Sequence, residues 1–128
     1  MEDYNLSNKI VFEGFQSNVM PFIQSSDCVV MPSFREGLPM TLIETICSGK
    51  PVIGSHVGGI SELVTDNGIT VQPNDVEELT NALNTFIQNP KAYKQSALAK
   101  ASLFKKRFSV ESWCAKTLDC YKKVLSQS

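Results

Sequence analysis

The apolar positions of this chain fall into short unbroken runs and longer runs spaced three and four apart. "KIVFEGF" (Lys9 to Phe15) reads as a buried strand closed by Gly14. In "DCVVMPS" the run Cys28 to Met31 is a second strand, stopped by Pro32. "PVIGS" and "GITVQP" are a third and a fourth. Between them, "NVMPFIQSS" reads as a short helix or turn. Residues Pro39 to Ser48 form a helix with Leu38, Leu42 and Ile46 on one stripe and Ile43 and Cys47 beside it. Pro39 suits the first helical position and Gly49 the residue past the end. "GGISELV" predicts a single helical turn. Asn74 or Asp75 then caps a helix carrying Val76, Leu79, Leu83, Phe86 and Ile87, which ends at Asn89–Pro90. Two more helices are expected, about Lys91 to Lys106 and Val110 to Leu125, the second with only a weak cap from Ser109 and Ser112. Apolar strands alternating with helices predict an α/β fold, a Rossmann-like parallel sheet of about four strands flanked by helices.

Composition bounds the function. The 128 residues suffice for one small domain, with 42% hydrophobic and 20% charged residues. A net charge of −1 supplies no bulk basic field for nucleic acid. No run approaches the roughly 18 apolar residues of a membrane span. "MEDYNLSNK" lacks the basic-then-apolar pattern of a signal peptide, so a cytoplasmic location is expected. None of Cys28, Cys47, Cys114 and Cys120 forms a C-x-x-C pair, which fits reduced thiols. His56 has no second histidine, so no metal site is expected. It reads as a partly exposed loop histidine, and "KKR" at Lys105–Arg107 as a solvated helix end. Phe104, Phe108 and Trp113 are expected in the core or against a further domain.

In parallel sheets ligands bind beyond the carboxyl ends of the strands. That places Gly14–Gln16, Pro32–Pro39 and Ser55–Gly59 at one edge. The richest of these runs into a helix as "SFREGLPMTLIET". Gly37 leaves the backbone around it unshielded. The amides of Met40, Thr41 and Leu42 fall in the first helical turn, without intrahelical partners, where the helix dipole adds positive character. Such a loop is an anion site, with phosphate the usual anion. Glu36 and Glu44 bracket it, and carboxylates accept hydrogen bonds from vicinal hydroxyls. Phosphate donors between two hydroxyl-binding carboxylates suit a nucleotide sugar. The ordinary alternatives are a solvated Glu44, a Glu36 that favours the dipole, and a plain tight turn at Gly37. Gly58 and Gly59 fit a ligand-facing position and a simple turn equally well.

Together the words "IVFEGF", "DCVVMPSFREGLPMTLIETICSGKPVIGSHVGGISELV" and "NGITVQPNDVEELTNAL" resemble the carboxyl-terminal domain of GT-B fold retaining glycosyltransferases, family 4 (glycosyl transferases group 1). They match that family's P-S-x-x-E-G loop, E-x7-E pair, G-x-P-V-I strand, G-G-x-x-E segment and G-x-x-V-x-P-x-D turn, in order, over about Lys9 to Leu83. The resemblance implies one partial domain over residues 1–128. It also implies hexosyl transfer from a nucleotide diphosphate sugar, UDP-sugar favoured, to a glycan or lipid acceptor with retention and without a metal or other cofactor. Glu36 resembles the catalytic glutamate near the transferred sugar, and Glu44 the one that binds ribose. Ser33, Gly37, Leu38, Met40, Thr41 and Leu42 resemble the loop and first turn that meet sugar and diphosphate. Gly14 and Phe15 resemble the segment that borders the base. Pro39, with no N–H, stands where the family often has glycine, which moves more of the contact to Met40 and Thr41.

The resembled domain begins with two strand–helix units carrying a glycine-rich turn and an Arg/Lys pair. Nothing here matches them, nor an amino-terminal acceptor domain, so a truncated and inactive fragment is expected. The expected partners are the nucleotide-sugar donor and the missing amino-terminal domain, not nucleic acid. Peripheral contact at the inner membrane face and an edge-strand dimer stay open. In the resembled sheet order 3-2-1-4-5-6, "KIVFEG" loses its neighbour. It is expected to move across and pair with "DCVVMP" in a four-stranded sheet, or to pair between two chains. The last helix is expected to be the most loosely attached. Other readings are a non-catalytic interaction module and a related GT-B epimerase or phosphorylase.

Overall fold

The structure is a computed structural model that describes residues 4, 6, 8–64 and 68–126. Three strands, β1 (Val29–Met31), β2 (Val52–Ser55) and β3 (Gly68–Val71), form a parallel sheet in the order β1-β2-β3. Val30 pairs with Ile53, and Ile53 with Ile69, so β2 is central. All four β2 residues are buried, as an apolar strand covered on both faces requires.

The helices are α1 (Met20–Ser25), α2 (Met40–Cys47), α3 (Gly58–Val64), α4 (Val76–Gln88), α5 (Pro90–Arg107) and α6 (Val110–Leu125). On one side of the sheet Leu42 and Ile46 of α2 pack with Val52 and with Ile60, Leu63 and Val64 of α3. On the other, Ala82 and Phe86 of α4 pack with Ile53 and Val71. Leu42 and Ile46 thus keep the expected stripe, joined by Thr45, whose buried hydroxyl donates to the carbonyl of Thr41 at 2.7 Å, whereas Leu38 precedes the helix and is half exposed.

The end of α2 is tied down. Gly49, at φ +70°, donates to the carbonyl of Ile46 at 3.0 Å, and Lys50 N–H to that of Thr45 at 3.1 Å, a Schellman closure. The Lys50 ammonium then reaches the carbonyls of Gln24 and Ser26, satisfying the end of α1. α5 passes so close that a Cβ on Gly49 would stand 3.0 Å from Leu98 Cδ1. Asp75 caps α4 by accepting from the Glu78 amide at 2.8 Å. The Glu78 carboxylate in return accepts from the Gln72 amide at 2.6 Å.

Two expectations need correction. "GGISELV" forms a seven-residue helix rather than one turn. Burial of Ile60, Leu63 and Val64 overrides the low helix propensity of its two glycines. The segment Lys9–Phe15 is not a strand, so the sheet among the described residues has three strands, close to the about four expected. That segment makes no ladder with β1, and Ile10, Val11, Phe12 and Phe15 stand exposed. A strand is stable only with a ladder partner. In the resembled sheet two strands without counterparts in this sequence lie between "KIVFEG" and "DCVVMP". β1, only three residues long and closed by Pro32, makes a poor substitute.

Candidate functional site

β1, β2 and β3 run parallel, so the loops Pro32–Pro39, His56–Val57 and Gln72–Asp75 leave the same edge of the sheet. His56 N–H donates to the carbonyl of Val71 at 2.7 Å, joining the second loop to the end of β3, while the histidine side chain is exposed. A small cavity of about 140 Å³ opens at this edge, lined by Pro32, Phe34, Ser55 and Val71 and by Asp75 at the start of α4.

The first loop rests on the start of α3. The Gly59 amide donates to the carbonyl of Gly37 at 2.6 Å. A Cβ on Gly59 would stand 2.5 Å from that oxygen, and one on Gly58 1.9 Å from the Glu36 carbonyl oxygen. Gly58 also has φ +42°, where side chains are strained. The paired glycines therefore fit the loop backbone: they face Glu36 and Gly37. A Cβ on Gly37, in contrast, would meet nothing within 4 Å. Its missing side chain leaves free space on the outer side of the loop.

At the start of α2, Pro39 is the cap residue rather than the first helical one, with φ −69° and ψ 127°. The amides expected to be free there divide. Leu42 N–H donates to the carbonyl of Pro39 at 3.1 Å, so it is not available to a ligand, and its side chain is fully buried. Tightening of the first turn accounts for this. Met40 and Thr41 N–H have no backbone partner among the described residues.

Ser33, Glu36, Gly37 and Leu38 lie together in the first loop, and Met40 and Thr41 follow directly. Glu44 stands one turn beyond Met40, on the side of α2 away from Leu42 and Ile46. It lines a groove of about 420 Å³ with Met20 and Gln24 of α1, Cys47, Ser48, and Lys105 of α5. Gly14 and Phe15 are not brought into this cluster. Gly14 takes φ +66° in open space and Phe15 is 94% exposed. On the other flank of Met40 lies a mostly apolar cavity of about 420 Å³, lined by Leu38, Ile43, Phe108 and Trp113 with Arg107 and Lys116.

Burial pushes the Cys28 thiol up to about 11 and raises that of Cys47, so neither is an activated nucleophile. All four cysteines are free. No group of three His, Cys, Asp or Glu that could hold a metal ion occurs among the described residues. Two features escaped the sequence reading. The contact of Gly58–Gly59 with the loop had a signal in the glycine pair but no indication of its partner. The groove joining Glu44 to α1 had no sequence signal, because it depends on how two helices pack.

The family described as glycosyl transferases group 1 matches residues 1–101. The chain belongs to this family. It is 32% identical over 93 residues to the O-antigen chain mannosyltransferase B of Escherichia coli, covering 73% of this chain and 24% of that protein. It is 31% identical over 83 residues to an E. coli UDP-Gal:α-D-GlcNAc-diphosphoundecaprenol α-1,3-galactosyltransferase, covering 63% of this chain and 21% of that protein. The crystal structure of Anabaena HepE in complex with UDP superposes with a TM-score of 0.83 at 28% identity, over 93% of this chain and 34% of that one. The same protein in complex with UDP-glucose gives 0.81 at 27% identity over the same shares. The glycosyltransferase-family chain thus spans between about a fifth and a third of the length of these relatives. Its parallel α/β sheet is that of a GT-B carboxyl-terminal domain.

Proposed function

We propose that this chain is the donor-binding part of a hexosyltransferase that uses a nucleotide diphosphate sugar, with a glycan or a lipid-linked glycan as acceptor. The observation that carries the reading is the β1–α2 loop. It is braced from below by Gly58–Gly59 and open above Gly37, and it leads to the free amides of Met40 and Thr41. Those amides and the α2 dipole suit a diphosphate. Glu36 would orient the sugar and stabilise positive charge developing at its anomeric carbon. Glu44 would accept from ribose hydroxyls, and its groove runs to α1, the element that follows Gly14–Gln16. The complexes of HepE with UDP and UDP-glucose support a uridine diphosphate donor.

In the retaining reaction that the family resemblance implies, the bond from the anomeric carbon to the diphosphate oxygen breaks as the acceptor oxygen bonds to that carbon on the same face. The acceptor proton passes to a donor phosphate oxygen. Donors fixed on the leaving group supply the main stabilisation. A non-catalytic module that keeps the fold is the second reading, favoured by the small size of the carboxyl-edge cavity. Amide chemical shifts recorded during titration with UDP-glucose test the first. Shifts centred on Gly37, Met40, Thr41 and Glu44 are expected. No shifts at 10 mM ligand (on the order of the weakest specific affinities), or shifts confined to other elements, would overturn it.

A further inference from the structure

We infer that the cavity of about 140 Å³ at the carboxyl edge is a subsite for a hydroxyl-bearing edge of a neutral hexose, with the Ser55 hydroxyl as its buried contact. The choice of a sugar rests on the sugar-transfer reading, whereas the site itself rests on the packing of β2. Side chains alternate along that strand. Val52 packs with α2 and α3, Ile53 packs with α4, and a Cβ on Gly54 would stand 2.6 Å from Ile60 of α3. Ser55 therefore points to the α4 face, where Val71 of β3 and Leu79 of α4 line the same cavity. Ser55 is only 1% exposed, and its hydroxyl has no hydrogen-bond partner among the described residues. Thr45, the other buried hydroxyl residue among them, is satisfied by the Thr41 carbonyl at 2.7 Å. A buried hydroxyl without a partner is costly, and buried polar groups are bonded as a rule. A ligand hydroxyl, at once donor and acceptor, removes that cost whichever way the serine proton turns.

The lining selects the ligand. Its one charged side chain is the acid Asp75, so phosphate and carboxylate groups are repelled. Asp75 Oδ1 accepts from the Glu78 amide at 2.8 Å, which leaves the second carboxylate oxygen to accept from a hydroxyl. Phe34, Val71 and Leu79 supply apolar walls suited to the C–H face of a sugar ring. At about 140 Å³ the cavity is well short of the roughly 300 Å³ at which whole-ligand sites begin, so it takes the edge of one sugar and not a nucleotide. It lies towards α4, on the other face of the sheet from α2, so it is separate from the groove beside Glu44. A donor hexose and an acceptor glycan present the same hydroxyl chemistry to it.

The methyl signals of Val71 and Leu79 and the amide signal of Ser55 report the cavity. The 128-residue chain is titrated separately with glucose, mannose, galactose, UDP and UDP-glucose. At least one free sugar is expected to move the three cavity signals at about 100 mM or below and to leave Met40 and Thr41 unmoved. UDP is expected to leave the cavity signals in place. If UDP-glucose moves them at a concentration about tenfold or more below that of glucose, the donor supplies the hexose; without that gain the acceptor does. Ser55→Ala should weaken sugar binding about fivefold or more while the urea midpoint stays level or rises, because an unpaired hydroxyl is removed. Absence of cavity shifts with all three sugars overturns the inference and leaves ordered water as the partner of Ser55. So does a Ser55→Ala chain with a lowered midpoint and unchanged sugar affinity. UDP shifts at Met40 and Thr41 without any cavity shift would remove this subsite and leave the donor-binding reading standing, whereas cavity shifts without UDP shifts would do the reverse.

Discussion

The amide of Gly59 donates to the carbonyl of Gly37 at 2.6 Å, and through this bond the start of α3 sets the height of the β1–α2 loop. A side chain on the α3 partner collides with the loop, whereas one on Gly37 enters open space. The two glycines therefore fail in different ways when substituted.

Gly59→Ala places its Cβ 2.5 Å from the Gly37 oxygen and is expected to destabilise the chain by about 1–3 kcal/mol. Gly58→Ala is worse, because it adds strain at φ +42° to a 1.9 Å clash. Gly37→Ala should leave stability within about 0.5 kcal/mol of wild type and still weaken nucleotide-sugar binding. Urea unfolding with parallel titration of UDP-glucose checks all three. Equal destabilisation by Gly37→Ala and Gly59→Ala would contradict the division of labour.

Asp75 is the residue that caps α4, which the sequence left open between Asn74 and Asp75. Asp75→Ala should cost about 0.5–2 kcal/mol in urea unfolding, since the Glu78 amide loses its acceptor. Asn74→Ala acts differently, because Asn74 holds φ 64° and contributes backbone tolerance rather than a cap. Replacing Asn74 by Gly should therefore be neutral or stabilising, and Asp75→Gly should recover most of the loss seen in Asp75→Ala.

Most of the fold was legible because its signals are local. β1 and β2 are apolar runs bounded by Pro32 and Pro51, and α6 occupies Val110–Leu125 as its periodicity implies. "KIVFEGF" misled because β-branched and aromatic residues signal a strand whether or not a neighbouring strand exists to bond it. The grouping of the candidate site residues was legible, because Glu36, Gly37 and the α2 amino terminus are adjacent in sequence. What remained hidden was long-range: Gly58–Gly59 bracing the loop, and Glu44 facing α1. The Leu42 amide was hidden for another reason, because one hydrogen bond to Pro39 decides whether the first turn offers three donors or two.

Stability should fall at alkaline pH in part through Cys28. Burial raises its folded pKa from 9.0 to about 11, so the unfolded thiol ionises first. The stabilisation is complete below pH 9 and is lost as pH rises towards about 11. Cys47 acts in the same direction. Cys28→Val should show a shallower loss than wild type in urea midpoints between pH 9 and pH 11. Identical slopes would show that the thiol titrates alike in both states.

The isolated chain should bind UDP-glucose only at about millimolar strength or weaker, and should not transfer glucose. A small-molecule site usually encloses roughly 300–1,000 Å³, whereas the cavity at the strand ends holds about 140 Å³. The groove beside Glu44 is larger but lies on the open side of α2. Of the three amides expected at the helix start, Leu42 is occupied and Pro39 has no N–H to replace it. Two donors then serve a diphosphate, and each charge-assisted hydrogen bond not made forgoes about 1.5–3 kcal/mol. Glu44→Gln should weaken what binding remains, as a neutral amide accepts ribose hydroxyls less strongly than a carboxylate. Calorimetry or amide shifts give the affinity, and release of UDP in the presence of a lipid-linked acceptor gives the activity. A dissociation constant of about 10 μM or below, or turnover by these 128 residues alone, would mean that the site is complete within this chain.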